Sequence, residues 1–241
     1  MYHRKGLLRT LAVIVFAAGT LLGFIVVTGA TWADLEASLF DSSMTADEAL
    51  GSLRCPVLIT ERESGTISAT IKNPTERLKT RYVRAHISQG YLTVMREEDT
   101  KFEVESGAKR KLEWSVGPED AVYGWMILAR IHVFGSYPLP AQHQSCGILV
   151  LDVPGLSGTA TVVIAAAASL LLMALGLGLW LLVGRPVVGR ERNAAAAMAA
   201  MAVILCLGLL TLLVGWWEAG VLSLVVIILL LGGIIAHFSL S

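Results

Sequence analysis

Charge is missing from this chain over long stretches, and that limits its fold more than any motif does. The 24 residues between Arg9 and Asp34, the 32 between Asp152 and Arg185 and the 25 between Arg192 and Glu218 contain no Asp, Glu, Lys or Arg, and none follows Glu218. A helix needs about 20 apolar residues to cross the hydrocarbon core of a bilayer. With 55% hydrophobic and 16% charged residues over 241 positions, the chain holds more apolar side chains than a soluble globule of this size covers. It is therefore predicted to be an integral membrane protein with four transmembrane helices. The first lies in residues 1–31, and Pro154, Gly155 and Gly158 delay the second to Thr159–Val183. The third and fourth follow a short basic loop at 184–193 and are joined by a tight turn at Trp216–Gly220.

Lys and Arg near span ends resist translocation. Arg4, Lys5 and Arg9 precede the first span, and Arg185, Arg190 and Arg192 fill the loop between the second and third. Both groups are expected in the cytoplasm of a cell bounded by this plasma (inner) membrane. Residues 34–158 and the Trp216–Trp217 turn are then outside, and both termini inside. Trp32, Trp180, Trp216 and Trp217 fall at span ends, where an aromatic belt sits. The first span reads as a retained anchor. The alternative is a cleaved signal peptide, with Arg4 and Lys5 as its basic start and Thr28-Gly29-Ala30 as its cleavage site, although its apolar part is longer than usual.

The exported segment 34–158 holds 17 of the 19 acidic and 13 of the 19 basic residues. Residues 32–54 are expected to form a helical juxtamembrane connector, since Thr45-Ala46-Asp47-Glu48 has the form of a capping box at a helix start. From Cys55 the period changes to two: Val57, Ile59; Ile67, Ala69, Ile71; Val83, Ala85, Ile87; Tyr91, Leu92, Val94; Phe102, Val104; Leu112, Trp114, Val116; Ile127, Ala129, Ile131, Val133; Ile148, Val150. Turn signals separate these runs, among them Asn73-Pro74-Thr75, Ser88-Gln89-Gly90, Glu98-Asp99-Thr100 and Gly117-Pro118. Seven or eight short strands at this spacing predict a β-sandwich over 55–155.

The run Ile67 to Thr75, ending Asn73-Pro74-Thr75, followed by Val104-Glu105-Ser106-Gly107 and the strand Leu112–Val116, resembles the immunoglobulin-like adhesion modules of the CARDB-type group. The chain as a whole resembles four-span bacterial membrane proteins carrying one exported domain of that kind. The resemblance implies an α-helical membrane bundle plus an all-β immunoglobulin-like sandwich inserted between helices one and two, and it implies binding or spacing rather than chemistry. The long first loop also resembles the topology of claudins, whose tryptophan, leucine and paired-cysteine signature is absent here.

Cys55 and Cys146 flank the sandwich in a compartment where disulfides persist, so a bridge between them is expected; Cys206 lies in the third span. His143 and Cys146 have a two-ligand spacing for zinc, but the bridge claims Cys146, and His86 and His132 lie in strand patterns. Glu97, Glu98 and Asp99 read as a solvated hairpin tip. No nucleophile elbow, Walker loop or dinucleotide fingerprint occurs, and no catalytic, cofactor or metal residue is assigned. The loop Phe134, Tyr137, Pro138, Leu139, Pro140 joins the last two strands, and its rigid apolar side chains suit a partner contact. Within the spans, Gly19 and Gly23, Ala174 and Gly178, Ala196 and Ala200, and Gly232 and Ala236 have the small-residue spacing that lets helices pack closely in lipid.

The equal count of 19 acidic and 19 basic residues gives no reason to expect nucleic acid, and no small-molecule substrate is evident. The expected partners are the lipid bilayer and another protein, or a second copy. The function read from the sequence is non-enzymatic presentation of the exported domain for binding or assembly, as a subunit of a larger membrane complex. The alternative is a homo-oligomeric channel or transporter subunit.

Overall fold

The computed structural model describes residues 2–41, 43–46, 48–184 and 189–239. Its elements run α1 (Tyr2–Leu39), β1 (Glu48–Ala49), β2 (Leu58–Thr60), β3 (Gly65–Lys72), β4 (Lys79–Gln89), β5 (Tyr91–Val104), β6 (Lys109–Val116), β7 (Met126–Val133), β8 (Gln142–Leu151), α2 (Gly158–Val183), α3 (Arg190–Val214) and α4 (Trp217–Ser239). The chain divides into a helical unit, residues 1–31 and 162–241, and a β unit, residues 32–161.

In the β unit the period-two residues do what alternation dictates. One sheet has the order β1-β8-β7-β4-β5, with β2 pairing farther along β8, and a second sheet is the pair β3-β6. Ile67, Ile71, Trp114 and Val116 from the small sheet meet Val83, Ile87, Ile127, Ile131 and Ile148 from the large one in a single core. The large sheet is mixed, because β1 and β2 both run parallel to β8 while its other pairs are antiparallel. Between β1 and β2 the chain leaves β8, places Leu50 and Leu53 in the core and bridges to the small sheet through Arg54 and Ser68. Cys55 and Cys146 are joined by a disulfide in that gap, across a sequence separation of 91.

This corrects the expected architecture. Four long helices flank one β region, but among the described residues three are long and apolar enough to cross a membrane by length and composition: Lys5–Leu39, Gly158–Val183 and Glu191–Leu212. The apolar stretch Trp217–Gly233 is shorter. The β region is a mixed sheet with a two-stranded partner rather than the all-β immunoglobulin-like sandwich expected, and no helix lies between β1 and β2. The capping box at Thr45 starts no helix: Glu48 and Ala49 pair with Gln142 and His143 instead, so a tertiary ladder overrides a local signal. Glu98, Asp99 and Thr100 are not a turn but the middle of β5, opposite Ala85, Arg84 and Val83; the hairpin turns at Gly90, whose φ of 70° suits glycine.

In the helical unit Phe16, Val27, Met173, Met201, Leu205 and Ile227 form the core. A Cβ on Gly19 would lie 2.7 Å from Ser169 O, and one on Gly23 would lie 2.5 Å from Leu205 Cδ2. The Ser169 hydroxyl donates to Gly19 O at 2.8 Å. Ala174, Ala196 and Ala200 are exposed, and nothing lies within 4 Å of a Cβ on Gly178 or Gly232. Arg185 and the side chains of Arg190 and Ala236 lie outside the described residues. Cys206 is free and half-buried.

Candidate functional site

β7 is buried along its whole length, on both faces. Ile127, Ala129, Ile131 and Val133 face the core; Met126, Leu128, Arg130 and His132 face the other way. That outer face is covered because α1 continues to Leu39 and the residues from Trp32 onward pack on it. Ala37 and Phe40 meet Val122, Met126 and Leu128, and the Gly147 amide donates to Asp34 Oδ1 at 2.9 Å. Arg130 Nη1 donates to Ser38 O at 3.2 Å and Phe40 O at 3.1 Å. The last carbonyls of a helix lack an acceptor role within it and sit at its negative end, so a guanidinium is a fitting cap.

Next to this contact lies a layer of charge. His86 Nδ1 is 2.6 Å from Asp41 Oδ2, and His86 Nε2 is 3.6 Å from Glu97 Oε2. One row along, Arg84 binds Asp99 through Nε at 2.8 Å and Nη2 at 2.9 Å. Those bonds raise the pKa of Arg84 and hold Asp99 below the usual carboxylate range. His132 pairs with His143 across β7 and β8 and meets the edge of Phe134 at 4.6 Å between ring centroids. Both have a buried Nδ1 with no partner among the described residues. The zinc spacing of His143 and Cys146 comes apart here, since residues three apart on a strand point to opposite faces and Cys146 is bridged. Among the described residues no three His, Cys, Asp or Glu side chains form a metal-holding group.

Both imidazoles are held below the usual histidine range. For His132 the causes are burial, then His143, Arg130 and Arg84; for His143 they are burial and Arg130, against a backbone hydrogen bond at Ala46. A depressed folded-state pKa means the unfolded chain takes up protons first, so this stability is complete above about pH 6.5 and is lost as pH falls below it. Burial raises Asp41, but hydrogen bonds from Ser43 and His86 outweigh it and lower its pKa, which places its effect at more acidic pH. The melting temperature of the β unit is expected to fall between pH 7.5 and 5.5, and to fall less in His132→Asn. A flat profile in the unsubstituted protein would contradict this.

The loop expected to contact a partner follows β7. Phe134 packs on Tyr82 at 4.9 Å and anchors the loop. Ser136 and Leu139 exchange backbone hydrogen bonds of 2.9 and 2.8 Å about a cis Tyr137–Pro138 bond, and Lys79 Nζ donates to Tyr137 O at 2.6 Å. Tyr137 at the tip is 93% exposed. Leu139 and Pro140 border a cavity of about 310 Å³ with Glu48, Ser52, Lys72 and Arg81. Sequence reading missed Arg81, Asp41 and Arg130. A signal for Arg130 existed, since a charge within Met126-Ile-Leu-Ala-Arg-Ile-His-Val133 interrupts an apolar strand.

The helical unit has an apolar groove of about 700 Å³ beside Phe16, Phe24, Trp180 and Met201. Thr20, which also lines it, donates its hydroxyl to Phe16 O at 3.0 Å.

No protein-family model matches the chain, and no curated protein matches it. Among solved structures it is similar to the CARDB domain of a Pyrococcus furiosus protein in complex with di-metal ions, at 11% identity and a TM-score of 0.32, over 42% of this chain and 90% of that one. It is also similar to a Paenibacillus cycloisomaltooligosaccharide glucanotransferase, at 10% identity and a TM-score of 0.33, over 45% of this chain and 15% of the enzyme. A third is a Listeria innocua beta-glucosidase, at 13% and 0.28, over 41% of this chain and 15% of that one. The chain spans a small fraction of either enzyme, and at these scores the likenesses carry no weight for function.

Proposed function

We propose that the chain is a non-enzymatic, membrane-anchored protein that presents its β unit outside the cytoplasm for binding or assembly within a larger membrane complex. The positive residues Arg4, Lys5 and Arg9 support a cytoplasmic N-terminus, and residues 34–158 are then extracytoplasmic. The observation that carries the binding role is Tyr137: a large aromatic side chain left 93% exposed on a turn pinned by two backbone bonds and Lys79. A rigid aromatic anchor loses little entropy on docking. In the helical unit the hydroxyls of Thr20, Ser169, Thr211 and Ser223 all donate to backbone carbonyls, which favours anchoring over conduction by a single copy.

A photocrosslinking amino acid at position 137 in native membranes is expected to give a discrete adduct, and one at Lys111, on the small sheet, none. Replacing Tyr137, Pro138 and Leu139 together by alanine should release the crosslinked partner on gentle extraction. A partner retained by the triple variant, or no adduct from position 137, would sink the assignment. Protease added outside intact cells should cut the β unit; protection of that unit would reverse the orientation.

A further inference from the structure

The large sheet contains a buried arginine of unusual standing. On β4, Val83, Ala85 and Ile87 face the core, and Arg81 continues that row at its end, 3% exposed. The other arginines of the sheet have acceptors: Arg84 has Asp99, Arg96 has Ser115 O at 2.7 Å, and Arg130 has the end of α1. Arg81 has no hydrogen bond or ion pair among the described residues, and its Nε and Nη1 are sealed from solvent. Burial alone accounts for its lowered pKa. A guanidinium stays charged in proteins, and a buried charge without a counter-charge is strongly unfavourable.

Arg81 borders the cavity of about 310 Å³ at the edge between the two sheets, a volume at the lower end of small-ligand sites. Lys72 adds a second positive charge to its wall. Ser52 Oγ accepts from the Thr70 amide at 3.2 Å, which leaves its hydroxyl proton to donate. Glu48 accepts from Gln142 Nε2 at 3.2 Å and supplies one negative charge opposite.

We propose that this cavity binds a carboxylate, held by Arg81 through Nη2, the guanidinium nitrogen that is not sealed, with Lys72 and the Ser52 hydroxyl in support. A hydrogen bond from a guanidinium N–H to a carboxylate is charge-assisted, and the single negative charge tolerates Glu48 better than a phosphate dianion does. The carboxylate comes either from a small free acid or from an acidic residue of a peptide. The site rests on Arg81 and the partner reading on Tyr137; of the residues replaced to test the partner, Leu139 alone also borders this cavity.

The test uses the full chain in lipid nanodiscs, titrated at constant ionic strength with butyrate, with inorganic phosphate, and with the peptide acetyl-Gly-Glu-Gly-amide. Saturable binding of butyrate or the peptide, at least tenfold tighter than phosphate, is expected from calorimetry, with a matching rise in melting temperature. Tighter binding of the peptide assigns the carboxylate to a protein, and tighter binding of butyrate assigns it to a free acid. Arg81→Gln should weaken binding at least tenfold. Arg81→Met should melt higher than the unsubstituted protein without ligand, because an unmatched charge is gone, and should show no ligand-dependent rise. Asp47 lies outside the described residues, and Asp47→Asn should leave the affinity unchanged; a gain in affinity would mean that the chain supplies this carboxylate itself and would overturn the proposal. So would absence of saturable binding, binding retained by Arg81→Gln, or a lower melting temperature in Arg81→Met.

Discussion

Replacing Cys55 and Cys146 together by alanine should lower the stability of the β unit by about 4 kcal/mol. The bridge closes a sequence separation of 91, and in the chain-entropy account a loop of that size restricts the unfolded chain by about this much. Its position adds a second contribution. The parallel ladder along β8 stops after Ala49 and His143 and resumes at Leu58 and Leu149, and the bridge ties the chain across that gap. Without it the segment holding Leu50 and Leu53, both in the core, is tethered by the Arg54–Ser68 bridge and short ladders at either end. A fall in melting temperature on the order of 10 to 15 °C is expected for a unit of this size. It is measured on the full chain by the temperature at which the β unit becomes sensitive to trypsin. A loss below about 1 kcal/mol would mean that the ladder, not the bridge, holds the edge.

Much of the β unit was legible in the sequence because one physical rule, alternation, governs strands with one face buried. It is why Ile67, Val83, Trp114 and Ile148 meet in the core. The rule fails where a second layer arrives from elsewhere in the chain. β7 is buried on both faces because the end of α1 covers the outer one, and nothing in residues 126–133 names that cover. Charged residues in β5 read as a turn because Arg84, the partner of Glu97 and Asp99, comes from β4 and is invisible to a local reading. The same limit hid the polar layer: Asp41 and His86 are 45 residues apart, and Arg81 meets Lys72 and Glu48 at a cavity only after two sheets have closed. Small-residue spacing marked Gly19 and Gly23 but equally marked Ala174 and Ala196, which are exposed, since spacing defines a helix face without saying what it meets. Gly176 went unmarked, although a Cβ there would lie 2.6 Å from Phe16 N.

Gly147→Ala is expected to undo the cover on β7, at a cost of about 3 to 5 kcal/mol. Gly147 belongs to the outward row of β8, opposite Leu128. A Cβ there would lie 2.1 Å from both the carbonyl carbon and oxygen of Ala33. These are backbone atoms within a helix, so no side chain can swing aside, and the end of α1 must lift from the sheet. The loss would then spread through everything that depends on this approach. The hydrogen bond from the Gly147 N–H to Asp34 goes, Phe40 and Ala37 withdraw from Met126 and Leu128, and Arg130 loses the carbonyls of Ser38 and Phe40. Hydrogen exchange separates this from general damage. Amides of Gly147 and of the outer row of β7 should lose protection, while Ile67 and Trp114, paired within the small sheet, should keep theirs. Gly51→Ala serves as the control, because nothing lies within 4 Å of its added Cβ, and it should change stability by less than about 0.5 kcal/mol. If Gly147→Ala melts like the control with its protection intact, the end of α1 does not hold the outer face of the sheet. The charged layer of His86, Arg130 and His132 would then be open to water, and the acid sensitivity expected of the buried histidines would vanish with it.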